Sequence, residues 1–359
     1  MNKLVFSAPI NALSFGNVSY NILRELYKLN VDLKFFPIGK DLDFSAFDKT
    51  EDDFKSWIVS SYNSRLKNIS SDTPSLKLWH LNGSESGVGP RQNLFTFHET
   101  DQPTEEEVSI TNLQENTIFS SSFSESIFKE TCPNSHSVPI GFDEDFHETN
   151  KKYLSGRVHF GLMGKWEKRK HTSRIIKLWA KKYGNNNDYQ LSCCVTNPFF
   201  GEDDFKSEIL KTLDGVKYTN INFLPRLKTN SEVNDYLNSL NIDLSGLSGA
   251  EGWNLPSFNS TALGKWSIVL NATAHKDWAT KDNSILVQPS GKEECYDNLF
   301  FKKENSFNQG NINTFTDDDF YNAVDRAISK HESKNLEGKN LQEKFTYKET
   351  VNKILNIIK

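Results

Sequence analysis

Short apolar runs alternate with helix-spaced apolar residues along this chain; the alternation stops at a polar stretch and then starts again. Few folds accommodate that pattern. Leu4 to Phe6 reads as a strand, followed by SFGNVSYNILRELYKLN, where Val18, Ile22, Leu23, Leu26 and Tyr27 recur at helical spacing, with Gly16 in the turn before that helix. Val31 to Phe36, Leu76 to Leu81, Leu94 to His98 and the segment TIFSSS are further strands. Asp52 to Ser64 and Phe123 to Phe128 are helices, and Val138 to Phe146 is a short strand and turn. Strands alternating with helices indicate βαβ units and parallel sheets. The polar segment ETNKKYLSGR reads as a linker. The expected division is residues 1–150 as one α/β domain, 151–335 as a second, and 336–359 as a C-terminal helix returning toward the first.

The second half holds the stretch with the most chemical content, DLSGLSGAEGWNLPSFNSTALGKW from Asp243 to Trp266. Small residues precede an acid, Glu251, then come Gly252, Trp253 and Asn254, then Pro256 and a helical run stopped by Gly264. Proline suits the first helical turn, and small residues let a backbone approach a ligand. Free N–H groups at a helix start seat phosphate. The stretch therefore predicts strand, tight turn and helix: a phosphate seat with one carboxylate at its edge. Upstream, Val158 to Met163 is a strand, Gly164 a turn, and KWEKRKHTSRIIKLWAKK a turn and helix. Residues 161–182 carry eight Lys or Arg against one acid, Glu167. Arg174, Lys177, Lys181 and Lys182 fit a solvated helix face. Lys165, Lys168, Arg169 and Lys170 fall in the turn, where a phosphate needs fixed positive charge.

Composition excludes several classes. At 359 residues the chain suits two domains that each bury a core. No apolar run approaches the roughly 20 residues that span a bilayer, and the N-terminus lacks the pattern of a signal peptide. Cys132, Cys193, Cys194 and Cys295 have no metal-ligand spacing and read as reduced thiols of a cytoplasmic protein. A net charge of −5 argues against a chain whose main partner is nucleic acid. GSESGVG, from Gly83 to Gly89, lacks the dinucleotide register. Walker, zinc-protease, C-x-x-C and serine-hydrolase motifs do not occur. In the first half, a strand delivers His98 to its carboxyl end, with Glu99 and Asp101 just beyond. Ligands of open α/β sheets bind at such ends; a capping or hydrogen-bonding histidine is the alternative.

Together, the two α/β halves, the basic turn and the acidic Gly turn before a helix resemble retaining glycosyltransferases of the GT-B fold, family 4 type, with HETDQP and SSSFSESIF closest to a viral or environmental branch. The resemblance is strongest from Phe160 to Asn271 and most specific at EGWNLPSFNSTALG, which stands where that family has an E-x7-E region. It implies two Rossmann-like domains with parallel sheets facing across a cleft. It also implies that Glu251 faces the donor sugar, that Gly252, Trp253, Asn254 and Leu255 form the turn beside the donor diphosphate, and that Asn259 stands where an acid holds the ribose hydroxyls. Lys165 and Lys170 would lie on the diphosphate, with Lys168 or Arg169 able to take the second role. Gly16 would lie beneath the donor, and His98 near acceptor and sugar. Asn259 and Asn254 both depart from the family pattern, replacing an acid and a glycine.

The implied reaction transfers a hexose from a nucleoside-diphosphate sugar, a UDP-sugar ahead of a GDP-sugar, to an unidentified hydroxyl acceptor with retention. It needs no metal or other cofactor, because lysines and a helix N-terminus would stabilise the leaving diphosphate; the DDD at Asp317 begins a helix instead. Two alternatives stand beside it: a nucleotide-sugar epimerase on the same scaffold, and a non-catalytic binding protein. Glycosylation of a DNA base would require a basic cleft in the first half, whereas residues 99–107 (ETDQPTEEE) are acidic. Oligomeric state is not legible from these residues.

Overall fold

The computed structural model describes residues 3–39, 41–149, 151, 153–197 and 199–359. The domain boundary expected at residue 150 falls on a position outside that set. Two six-stranded sheets, both parallel throughout, organise the chain. The first contains β1 (Lys3–Ala8), β2 (Asp32–Pro37), β3 (Ser75–Leu78), β4 (Gln92–Thr96), β5 (Asn116–Phe119) and β6 (Ser135–Ser137) in the order β2-β1-β3-β4-β5-β6. The second contains β7 (Val158–Lys165), β8 (Tyr189–Thr196), β9 (Ile221–Phe223), β10 (Ile242–Asp243), β11 (Trp266–Leu270) and β12 (Ile285–Val287) in the order β12-β11-β10-β7-β8-β9. A hairpin, β13 (Gly291–Glu294) and β14 (Asn311–Thr314), stands apart from both.

Strands such as β1, β7 and β11 are largely apolar because parallel strands lie buried on both faces; all five residues of β11 are buried. The helices of the first half are α1 (Ser14–Lys28), α2 (Asp52–Asn63), α3 (Glu105–Leu113) and α4 (Ser122–Phe128). Those of the second are α5 (Thr172–Tyr183), α6 (Glu202–Thr212), α7 (Asn230–Ser239), α8 (Leu255–Ala262), α9 (His275–Trp278) and α10 (Asp317–Ile328). Helices α11 (Leu336–Lys339), α12 (Leu341–Lys344) and α13 (Tyr347–Ile357) close the chain. Helix α13 packs on α1 of the first half, and the Thr350 hydroxyl donates to the Pro139 carbonyl at 2.8 Å. Where this return crosses the linker, Glu148 accepts from Lys334 (2.8 Å) and Lys339 (2.7 Å) beside a cavity of about 130 Å³ that Lys265 also lines.

Several local expectations need correction. Gly16 lies inside the first turn of α1, where a Cβ would sit 2.2 Å from the Asn11 carbonyl oxygen; its smallness serves helix-to-loop packing. The third strand stops at Leu78 instead of Leu81. Val138 to Phe146 forms no strand, since the sheet takes Ser135–Ser137 instead. Gly164 is not a turn but the penultimate residue of β7, at φ +150°. Helix α3 was not anticipated, although its capping box, Thr104 with Glu107, is present in the sequence.

Candidate functional site

The second sheet reverses direction between β7 and β10: successive strands run outward on one side of β7, and the chain then returns to its other side. Crevices at such switch points collect ligands. The loops leaving β7 and β10 are the two stretches singled out above, the basic turn and the Glu251 turn. They converge. Lys170 Nζ donates to Glu251 Oε1, while Arg169 Nη1 lies 3.2 Å from Glu251 Oε2 and donates to the Ala250 carbonyl. The Lys170 stem reaches Glu251 by passing over Gly164, whose missing Cβ would sit 3.1 Å from Lys170 Cδ.

Arg169 is the hub. It is buried at 4% exposure and faces Glu167 (3.1 Å), Glu251 (3.2 Å) and, from the other half, Glu99 (3.2 Å). Lys165 adds a looser pair to Glu167 at 3.5 Å and lies over the Phe300 ring. Three carboxylates thus meet the cations Lys165, Arg169 and Lys170 in a cluster that neutralises itself. Burial pushes the Glu251 carboxyl up, but Lys170 and Arg169 outweigh it and hold the group at about 2. Glu167 is likewise lowered against its burial, chiefly by Arg169. Glu99 goes the other way: burial raises it and the Glu251 charge adds to that, against the pull of Arg169. The Arg169 guanidinium is stabilised further in its charged form, because its acidic neighbours exceed the penalty of burial.

The turn after Glu251 is built for close approach. Asn254 sits in the left-handed region at φ +69°, where its side chain caps α8 by accepting from the Ser257 N–H. That conformation suits glycine best and asparagine next, so Asn254 fits the turn. Asn254 Nδ2 also donates to the Ser245 carbonyl and to His275 Nε2, both at 2.9 Å. The other imidazole nitrogen, Nδ1, donates to the Leu270 carbonyl at 2.8 Å, so His275 is locked neutral; burial lowers it to about 4. Thr273 Oγ1 accepts from the Glu251 N–H at 3.2 Å. Neither Thr273 nor His275 was expected, although both follow the carboxyl end of β11, the position that singled out His98.

Gly252 lies where the halves touch. A Cβ there would meet Phe97 Cβ at 2.9 Å, and the Gly252 carbonyl accepts from Ser120 Oγ at 2.7 Å. Asp277 accepts from the Ser122 N–H at 2.7 Å and from its hydroxyl. Along this front the halves are in direct contact. The Trp253 side chain faces Phe258 and Phe345 in the core, leaving only its backbone at the turn. Leu255 opens α8 and is half-buried; Asn259, on the same helix, is buried with no partner for Oδ1. His98 is buried edge-on against Phe128, with no partner for Nε2, and it makes no hydrogen bond to the Glu251 cluster. Its neighbours cross instead: Glu99 to Arg169, and Asp101 to Lys292 (2.7 Å) and the Asn311 N–H (2.8 Å). Gly16 stays with Asn11. Among the described residues no group of three or more His, Cys, Asp or Glu side chains is arranged to hold a metal, and no helix is long and apolar enough to cross a membrane.

No protein-family model and no curated protein matches the sequence. Solved structures do match in shape over nearly the whole chain. Sucrose-phosphate synthase from Thermosynechococcus elongatus superposes with a TM-score of 0.70 at 11% identity, covering 99% of this chain and 98% of its own. Anabaena HepE in complex with UDP-glucose gives 0.66 at 11%, covering 99% of each chain. An E. coli structure described as trehalose-6-phosphate bound with UDP-2-fluoro glucose gives 0.65 at 11%, covering 99% and 98%. At such identity the likeness concerns the fold. With two Rossmann-like parallel sheets joined by a linker, the chain has the GT-B fold.

Proposed function

We propose that the chain is a family 4-type, retaining glycosyltransferase that moves a hexose from a nucleoside-diphosphate sugar to a hydroxyl acceptor. A UDP-sugar is the favoured donor, with a GDP-sugar next. The observation that carries this reading is the convergence of Lys170 and Arg169 on Glu251 at the switch point of the second sheet. The fold likeness to proteins whose structures contain UDP-glucose or a fluorinated relative supports it.

Breaking the donor's glycosidic bond leaves growing negative charge on the diphosphate. Arg169 and Lys170 would meet that charge with cations already fixed in a dry site, without requiring a metal, where fixed charge stabilises it strongly. Lys165, more open to water, would add a screened third. The α8 N-terminus, reached through Gly252, Trp253, Asn254 and Leu255, would add its backbone dipole. Glu251, kept ionised by its neighbours, would orient the sugar hydroxyls once Lys170 turns to the phosphate. Asn259, with a free carbonyl oxygen, would hydrogen-bond the ribose diol. His98 would stand near acceptor and sugar, and Gly16 beneath the donor. The diphosphate itself would take the acceptor's proton. The free, buried cysteines suit a reducing cytoplasm.

The test is incubation of the purified protein with UDP- and GDP-sugars, with and without a panel of sugar, peptide and lipid acceptors, following nucleotide release and the product anomer by NMR. An α-linked product from an α-linked donor supports the reading. An isomerised donor without acceptor replaces it with an epimerase. Failure to bind any nucleotide sugar, or to release nucleotide, overturns it.

A further inference from the structure

The charge cluster contains one member that belongs to the other half of the molecule, and that member is bound differently from the rest. Glu251 holds a hydrogen bond from Lys170, and Glu167 holds one from Arg169. Among the described residues, the Glu99 carboxylate has none. It sits 3.2 Å from Arg169 Nε, yet the Nε–H is not directed at it and is left without a hydrogen-bond partner although it is buried. Glu99 is also the most exposed of the three, its side chain at 26% against 2% for Glu167 and 5% for Glu251. Its charge is disfavoured where the other two are favoured. A carboxylate that supplies charge without geometry is the replaceable one, since hydrogen bonds to ionised groups carry much of an ion pair's strength.

Counting formal charges explains why replacement is needed. With Glu99, Glu167 and Glu251 set against Lys165, Arg169 and Lys170, the cluster has no net charge to offer an incoming dianion. Removing Glu99 leaves an excess positive charge centred on Arg169, beside a donor N–H with no partner. We propose that Glu99 is an internal stand-in for the donor's diphosphate: it neutralises Arg169 across the two halves and is exchanged for phosphate oxygens as the donor enters. This rests on the glycosyltransferase reading for the identity of the donor, but the exchange itself requires only a diphosphate. Glu99 therefore sets the affinity of the site. It makes a weakly charged or singly anionic ligand a poor competitor, because such a ligand cannot displace a carboxylate.

The experiment compares wild type, Glu99→Gln and Asp101→Asn for binding of inorganic pyrophosphate and of UDP by calorimetry, at low and moderate salt. Asp101 is the control: it also ties the halves together, through Lys292 and Asn311, but does not touch Arg169. Glu99→Gln is expected to bind both ligands about tenfold more tightly than wild type, with a steeper salt dependence, while Asp101→Asn does not tighten. Equal or weaker pyrophosphate binding by Glu99→Gln overturns the exchange, as does an equal gain in Asp101→Asn, which would indicate mere loosening of the interface. Tighter pyrophosphate with no UDP binding in any form keeps the exchange and removes the nucleotide reading. Tight UDP binding unaffected by Glu99→Gln keeps that reading and removes the exchange.

Discussion

Two charge clusters lie where parts of this molecule distant in sequence meet, one at the front around Arg169 and one at the rear, where Lys334 and Lys339 meet Glu148. The carboxyls of Glu251 and Glu148 are both lowered to about 2, yet the two values mean different things. At the front, burial works against ionisation and is overcome by Lys170 and Arg169 inside a dry site. At the rear, hydrogen bonds from Lys334 and Lys339 act on a side chain that is 38% exposed, where water screens most of the energy. A lowered carboxyl signals stored electrostatic energy only where solvent is absent.

Arg169→Ala should separate the two regions most sharply. It leaves three carboxylates with only two lysines beside them and should cost about 3–5 kcal/mol of stability, read from urea unfolding, together with loss of UDP binding. A neutral result would mean that the front resembles the rear. Glu251→Gln comes next. It keeps the shape but leaves Lys170 and Arg169 short of a counter-charge, so roughly 1–3 kcal/mol of stability is lost. Sugar transfer should fall by about 10² or more. Normal transfer by that variant would remove Glu251 from the site.

Acid titration sharpens the comparison further. His275 is folded neutral at about 4 against an ordinary 6.5. Its contribution is whole above 6.5 and lost as pH falls through about 4, because the unfolded chain binds the proton first. Glu251, lowered from 4.5 to about 2, contributes fully above 4.5 and fades below it. Unfolding free energy measured across that range should therefore fall with acid. His275→Asn should flatten the slope between pH 6.5 and 4 by on the order of 2 kcal/mol. An unchanged slope would show that His275 is not the neutral partner described. The smallest effect belongs to Lys334→Ala at the rear, expected to change stability by about 1 kcal/mol or less; a larger loss would promote the rear cluster to the same kind as the front.

How much of this was legible beforehand follows from how far each interaction reaches along the chain. The sheets were visible because apolar runs and helical spacing are local signals. Glu251 and the Lys165–Lys170 turn were visible because strand ends, small residues and basic turns occupy neighbouring positions. Their direct pairing was not, since Lys170 and Glu251 are 81 positions apart. His98 stands out by residue type, although β4 stops at Thr96, two residues before it; the side chains that cross to the other half are Glu99 and Asp101, and no rule of spacing distinguishes them from His98. His275 and Thr273 lay in a polar segment with no periodicity. The β13–β14 hairpin was missed for a related reason: Gly291–Glu294 is exposed throughout and carries no buried alternation.

That hairpin has a consequence for motion. Asn313 of β14 donates from its backbone to the Gly249 carbonyl at 2.9 Å, two residues before Glu251. Residues of the same hairpin and its loop are tied to the first half: Asn311 to Asp101, Ser306 to Thr104 at 2.7 Å, and Asn308 to Glu107 at 3.0 Å. The hairpin is therefore a tether with one end on each half of the molecule. Separation of the halves would pull on the Glu251 loop as well as uncover it, so the amides of Asn311 and Asn313 should lose deuterium protection together, in a single opening event.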